Sequence, residues 1–159
     1  MSERGLASAL SESWFGTNLP PHALSQLAEI AQLRSYPAEA TLLREGGPTT
    51  EFGIVVSGRI GLRTLVPERG PVTILTVEPG DVFGWSALVE PHVATSTAVA
   101  LEPVEAIAFE GAALRRLLSA DSALAASVYP RLLTAVARRL AATRTQLLDL
   151  YGGQEQVPW

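Results

Sequence analysis

From about Arg34 to Phe109 the apolar residues come in short runs rich in Val, Ile, Leu and Thr, broken at nearly regular intervals by glycine and proline. The breaks fall at Gly46-Gly47-Pro48, Ser57-Gly58, Pro67 to Pro71, Pro79-Gly80, Glu90-Pro91 and Glu102-Pro103. Glycine there opens positive φ, and proline fixes a turn angle and removes a ladder donor. The stretches between are predicted as strands of about four to eight residues. In Gly58 to Thr64, Ile60, Leu62 and Thr64 alternate with Arg59, Gly61 and Arg63, the period of a strand with one wet face. Many short strands at this spacing predict a sandwich, a jelly roll or a barrel.

On both sides of this region the period lengthens. Leu24, Leu27, Ile30 and Leu33 recur every three residues and predict an amphipathic helix over 22–33, entered through Pro20 and Pro21. A weaker helical patch surrounds Ser11 to Phe15. After Phe109 a short helix is expected from Gly111 to Leu118, with Asp121 as N-cap of a longer one. Pro130 removes a backbone donor and crowds the preceding turn, which predicts a kink or break and a fresh helix from about Arg131 to Tyr151. Along that helix Leu133, Val136, Leu140, Thr143, Leu147 and Leu150 form a heptad seam about two and a half heptads long. It either packs on its own domain or pairs two copies; the second is expected, giving a homodimer. The chain thus divides into an N-terminal lead (1–19), a helix plus β region (20–109), C-terminal helices (110–151) and a tail (152–159).

Composition narrows the chemistry. With 159 residues and 47% hydrophobic content, one domain can bury most of its apolar surface without a covalent staple. No cysteine is present, which excludes disulfides, thiolate catalysis and iron–sulfur clusters. No run of about 18 apolar residues or charged-then-apolar leader stands out, so a cytoplasmic location without membrane contact is expected. The net charge of −4 argues against general nucleic-acid binding. All twelve basic residues are arginine, and six of them (Arg115, Arg116, Arg131, Arg138, Arg139, Arg144) lie between Gly111 and Gln146 with only Asp121 opposing them there. Arg131 and Arg138 share one heptad position and read as a solvated helix face. The two histidines, His22 and His92, stand alone, too few for a clustered metal site or a Ser/His/Asp arrangement. No metal, haem or other cofactor is expected.

Three stretches in order carry a family resemblance. Arg44-Glu45-Gly46-Gly47 with Phe52 to Ile60 resembles the opening hairpin of the cyclic-nucleotide-binding domain, as found in the sensor domains of cyclic AMP receptor and fumarate-nitrate regulators. Pro79-Gly80-Asp81-Val82-Phe83-Gly84 resembles the approach to that family's phosphate-binding cassette, and Thr97 to Pro103 the strand leaving it. The resemblance covers about residues 20–150. It implies a mainly β fold with flanking helices: a double-stranded β-helix, or jelly roll, with an N-terminal helix and a long C-terminal helix.

The resemblance also implies a cassette glutamate on the ribose and, about ten residues on, an arginine on the cyclic phosphate. Here the first position holds Trp85 and the second Thr95 or, by the other anchor, Ala94. No arginine lies between Arg69 and Arg115, and the chain has no lysine. Hydrogen bonds to charged groups contribute roughly 1.5–3 kcal/mol each, so losing both partners weakens binding by roughly two or more orders of magnitude. Cyclic AMP and cyclic GMP are therefore not expected to bind in the usual mode. The remaining candidate ligand residues are Gly84, Trp85, Ser86, Ala87, Thr95, Ser96 and Thr97: free N–H groups, hydroxyls and an indole face that either line a pocket or, in the case of Trp85, plug it. The expected function is a non-enzymatic, stand-alone regulatory module that binds another small ligand or a partner protein. With eight residues after Tyr151, no DNA-recognition helix is expected. An assembly domain with a vestigial pocket is the alternative; a cupin-like enzyme is a third reading, weakened by the histidine count.

Overall fold

The computed structural model describes residues 3–152. Two helices, α1 (Glu3–Glu12) and α2 (Pro21–Ile30), precede eight strands: β1 (Ala31–Tyr36), β2 (Thr41–Leu43), β3 (Glu51–Ser57), β4 (Ile60–Val66), β5 (Gly70–Val77), β6 (Val82–Phe83), β7 (Thr97–Ala100) and β8 (Val104–Glu110). Helices α3 (Gly111–Ala120) and α4 (Ser122–Gly152) follow. The strands form two antiparallel four-stranded sheets, ordered β1-β8-β3-β6 and β2-β7-β4-β5. This is the mainly β architecture with flanking helices and a long C-terminal helix.

Two apolar clusters explain the pattern of the strands. Between the sheets, Val55, Ile60, Leu62, Phe83, Ala98 and Ala106 fill the roll. On the other face of the first sheet, Phe52, Ile54, Ile107 and Phe109 meet Leu10, Phe15, Leu27, Leu114 and Leu124 from the helices. Strand β3 is thus covered on both faces, which is why its sequence is a continuous apolar run. Phe52 is the pivot, with its ring centroid 5.3 Å from Phe15 and 6.2 Å from Phe109. Gly53 lets the Phe83 ring lie directly on β3, since a Cβ there would sit 2.1 Å from a ring carbon.

Several helical expectations need correction. The first helix is α1, which begins upstream of the Ser11 to Phe15 patch and takes in only Ser11 and Glu12 of it; Leu6 and Leu10 form its buried stripe, while Ser13 to Asn18 turn back so that Phe15 reaches the core. Helix α2 stops at Ile30 because Ala31 is already extended. Leu33 belongs to β1, opposite Ile107, and shares the three-residue spacing only by coincidence. Asp121 does cap α4: its Oδ1 accepts the Leu124 N–H at 3.0 Å.

Helix α4 runs through Pro130 as one element, with no fresh start at Arg131. Leu124, Val128, Leu132 and Ala135 are buried on both sides of the proline and hold the helix to the domain. Ala126 and Pro130 face solvent, so water can satisfy the carbonyl that loses its partner. The heptad seam also divides. Leu133, Leu140 and Leu147 are 70%, 70% and 50% exposed, whereas Val136 and Thr143 are half-buried against the roll. The side chain of Leu150 and the tail beyond Gly152 lie outside the described residues.

Of the two arginines read as a solvated face, Arg138 is exposed and Arg131 half-buried, and both also make contacts that hold α4 to the domain. Arg131 Nη1 donates to the Phe15 carbonyl at 2.9 Å and to that of Thr17, and the Arg138 guanidinium lies 4.2 Å over the Trp14 ring centroid. Each long stem crosses apolar surface and delivers its charge to a carbonyl or a ring. Among the described residues no helix is long and apolar enough to cross a membrane.

Candidate functional site

The segment 79–87 bends because Gly84 adopts φ 71° and ψ 31°. A side chain there would strain the backbone and place Cβ 2.2 Å from the Glu51 carbonyl oxygen. The 3₁₀ turn Trp85–Ala87 follows, and its polar groups are largely satisfied from within. Ala87 N–H donates to the Gly84 carbonyl and Leu88 N–H to that of Trp85, both at 3.0 Å. Ser86 Oγ pairs with Thr49 Oγ1 at 2.8 Å in a buried position. Arg115 Nη1 donates to the Ala87 carbonyl at 2.6 Å, and His92 Nδ1 lies 3.0 Å from the Ser86 carbonyl oxygen. The Ala87 side chain is fully buried in the helix-side core, and the Thr97 hydroxyl accepts the Glu45 N–H. Of the seven candidate residues, therefore, Ser86, Ala87 and Thr97 are committed to the scaffold.

Beside the turn remains a small space of about 20 Å³, bordered by Gly84, Trp85, Ser86, Ala94, Thr95 and Ser96, enough for about one water molecule. Adjoining it is a cavity of about 400 Å³ between the roll and α4. Leu62, Thr64, Ile74 and Leu75 of the β4–β5 hairpin form one wall, Val136, Leu140 and Thr143 of α4 the other, and Trp85, Thr95 and Ser96 the rim. Trp85 packs against the helix-side core while also bounding both spaces.

Sequence reasoning missed Arg139. Its guanidinium borders both spaces and donates through Nη2 to the Val82 carbonyl at 2.7 Å. Burial pushes its pKa down, partly countered by the charge of Asp81. It lies more than fifty residues beyond the cassette, so proximity along the chain could not reveal it. The available signal was helical: Arg139 is three residues after Val136 and four before Thr143, on one face of α4. Among the described residues no three His, Asp or Glu side chains gather in a metal-binding group.

A family model described as cyclic nucleotide-binding domain matches residues 33–121, more than half of the chain. The chain belongs to the cyclic nucleotide-binding domain family. The domain is 30% identical over 130 residues to a CRP-like cAMP-activated global transcriptional regulator of Mycobacterium tuberculosis, covering 82% of this chain and 56% of the regulator. It is 36% identical over 99 residues to acetyltransferase Pat of Mycolicibacterium smegmatis, covering 62% of this chain and 29% of the acetyltransferase. It thus spans about half or less of these relatives. Among solved structures it resembles a putative cyclic nucleotide-binding protein from Geobacter metallireducens, with a TM-score of 0.74 and 26% identity over 88% of this chain and 98% of that one. In this cyclic nucleotide-binding domain, then, the positions that the resemblance assigns to ribose and phosphate hold Trp85 and an uncharged residue, while Arg115 of α3 is bonded to the Ala87 carbonyl and Arg139 of α4 borders the cavity.

Proposed function

We propose that this domain is a non-enzymatic, cytoplasmic regulatory module that does not take cyclic AMP or cyclic GMP in the family's usual mode and answers instead to another small ligand between the roll and α4. The M. tuberculosis relative is named as cAMP-activated, but that ligand does not transfer with the fold. The observation that carries the reading is the lining of the cavity of about 400 Å³: Trp85 and the uncharged Thr95 stand where the resemblance puts the ribose and phosphate contacts, and Arg139 of α4 supplies the charge. A ligand in this cavity touches the hairpin and α4 together, so it binds one setting of the helix better than another, which any coupling requires. Native mass spectrometry of the purified protein tests this. A retained small molecule other than a cyclic nucleotide supports it; retained cyclic AMP or cyclic GMP overturns it.

A second reading, an assembly domain with an idle cavity, is favoured by the exposed column Leu133, Leu140 and Leu147 on α4. Paired across two copies, it would make a homodimer through the C-terminal helices. Sedimentation velocity on the Leu133→Asp, Leu147→Asp double variant should then show monomers where the parent is dimeric. Unchanged mass would remove this surface as the interface.

A further inference from the structure

We propose that the free edge of β1 pairs antiparallel with β1 of a second copy of this chain, in a two-fold register centred on Leu33. This interface is separate from the exposed leucines of α4 and depends on no ligand.

Each sheet ends in two edge strands, and every edge except β1 is blunted. Strand β6 has two residues and β2 three, while β5 carries Pro71 and is packed by α4. A short strand, a proline or a covering helix each keeps an edge from recruiting another strand. Strand β1 has none of these. It runs six residues, pairs on one side with β8, and leaves Gln32 to Ser35 exposed.

Alternation along the ladder fixes which backbone groups are free. Gly111 N–H donates to the Thr50 carbonyl on the β3 side at 2.8 Å, so Ala108, Ala106 and Val104 turn their backbone toward β1. Their partners there are Gln32, Arg34 and Tyr36. Leu33 and Ser35 therefore aim N–H and C=O outward, with no partner among the described residues. Ala31 offers only its carbonyl, because its N–H is held by the Ala28 carbonyl at the end of α2.

A second copy suits this edge because the sequence is self-complementary about Leu33. In that register the two Leu33 residues exchange N–H···O=C bonds, and each Ser35 N–H reaches the Ala31 carbonyl of the other copy. Gln32 stands opposite Arg34 of the second copy, so no like charges meet, whereas a register centred on Arg34 would set guanidinium against guanidinium. Arg34 keeps its own Glu51 at 3.3 Å. The Leu33 side chain, 36% exposed, is covered by its counterpart. Two-fold pairing closes both edges at once and joins the two four-stranded sheets into one.

The chain has no cysteine, so single introduced cysteines read the register. Directly opposed bonded residues have Cα atoms about 5.5 Å apart, within disulfide reach; the two Gln32 residues lie on a diagonal of about 7–8 Å, beyond it. Under mild oxidation the full-length Leu33→Cys chain is expected to give disulfide-linked dimer at least about fivefold faster than Gln32→Cys. Adding Ser35→Pro, which removes an outward N–H and leaves the β8 ladder intact, should abolish the linkage. The linkage should persist when Leu133→Asp and Leu147→Asp prevent pairing through α4. Equal linkage of the two cysteine variants, linkage of neither, survival of the linkage in folded Ser35→Pro, or its loss with the α4 substitutions overturns the edge pairing. If Ser35→Pro does not fold, the cysteine comparison and the α4 substitutions still decide.

Discussion

At the scale of single residues, the site depends on backbone angles and caps more than on reactive groups. Gly84→Ala must hold an L side chain at positive φ and push Cβ into the Glu51 carbonyl; it should lower stability by more than about 2 kcal/mol, read from the denaturant midpoint. Asp121 ties α3, α4 and α2 together, accepting from Leu124 N–H and from Gln26 Nε2 at 2.9 Å. The Gln26 bond first, then the backbone bonds, hold its pKa below the ordinary carboxylate value. A carboxyl depressed in the folded state stabilises fully above its unfolded pKa of about 4, and the effect is lost as pH falls through the lower folded value. Asp121→Ala should therefore unfold more readily than the parent at pH 7, with the gap in melting temperature closing as pH falls through the depressed carboxyl's range, below the ordinary value of about 4. Gly84 and Asp121 were legible in the sequence because glycine and caps act on their immediate neighbours. Arg139 was not, since its role comes from the packing of α4 on the roll.

At the scale of elements, the strands were readable because Gly and Pro punctuate them, and β4 because its inner residues alternate with outer ones. The helix ends were less readable. Leu33 continues the spacing of α2 yet pairs in β1, a case of tertiary pairing overriding local period. Pro130 shows the same competition: its local penalty predicts a break, and the buried contacts of Leu124, Val128, Leu132 and Ala135 outweigh it. Pro130→Ala should restore the missing bond and raise stability by about 1–3 kcal/mol, less than the full proline penalty because the unfolded chain gains freedom. Thermal unfolding measures this; a fall in melting temperature would mean that the proline's geometry is needed to seat Arg138 and Arg139. Those arginines also explain why charge patterning misled. A solvated face and a row of anchors have the same one-dimensional sequence, and only the position of Trp14 and the carbonyls of Phe15, Thr17 and Val82 separates them.

At the scale of the whole molecule, family membership and ligand chemistry come apart. The roll, its two cores and the cassette bend follow the family, while the cassette itself offers Trp85, a Ser86 hydroxyl already paired with Thr49 and no basic side chain of its own at the position assigned to the phosphate. Arg139 approaches from α4 and borders both spaces, so an entering cyclic phosphate would lack the roll's own cation. Two missing charge-assisted contacts amount to roughly 3–6 kcal/mol, or about two to four orders of magnitude in affinity. The direct measurement is isothermal titration calorimetry of the purified domain with cyclic AMP and with cyclic GMP. No saturable heat is expected with either nucleotide into the tens of micromolar. A one-to-one isotherm with a low-micromolar Kd for either would contradict the reading and return the cassette to the family's ordinary use.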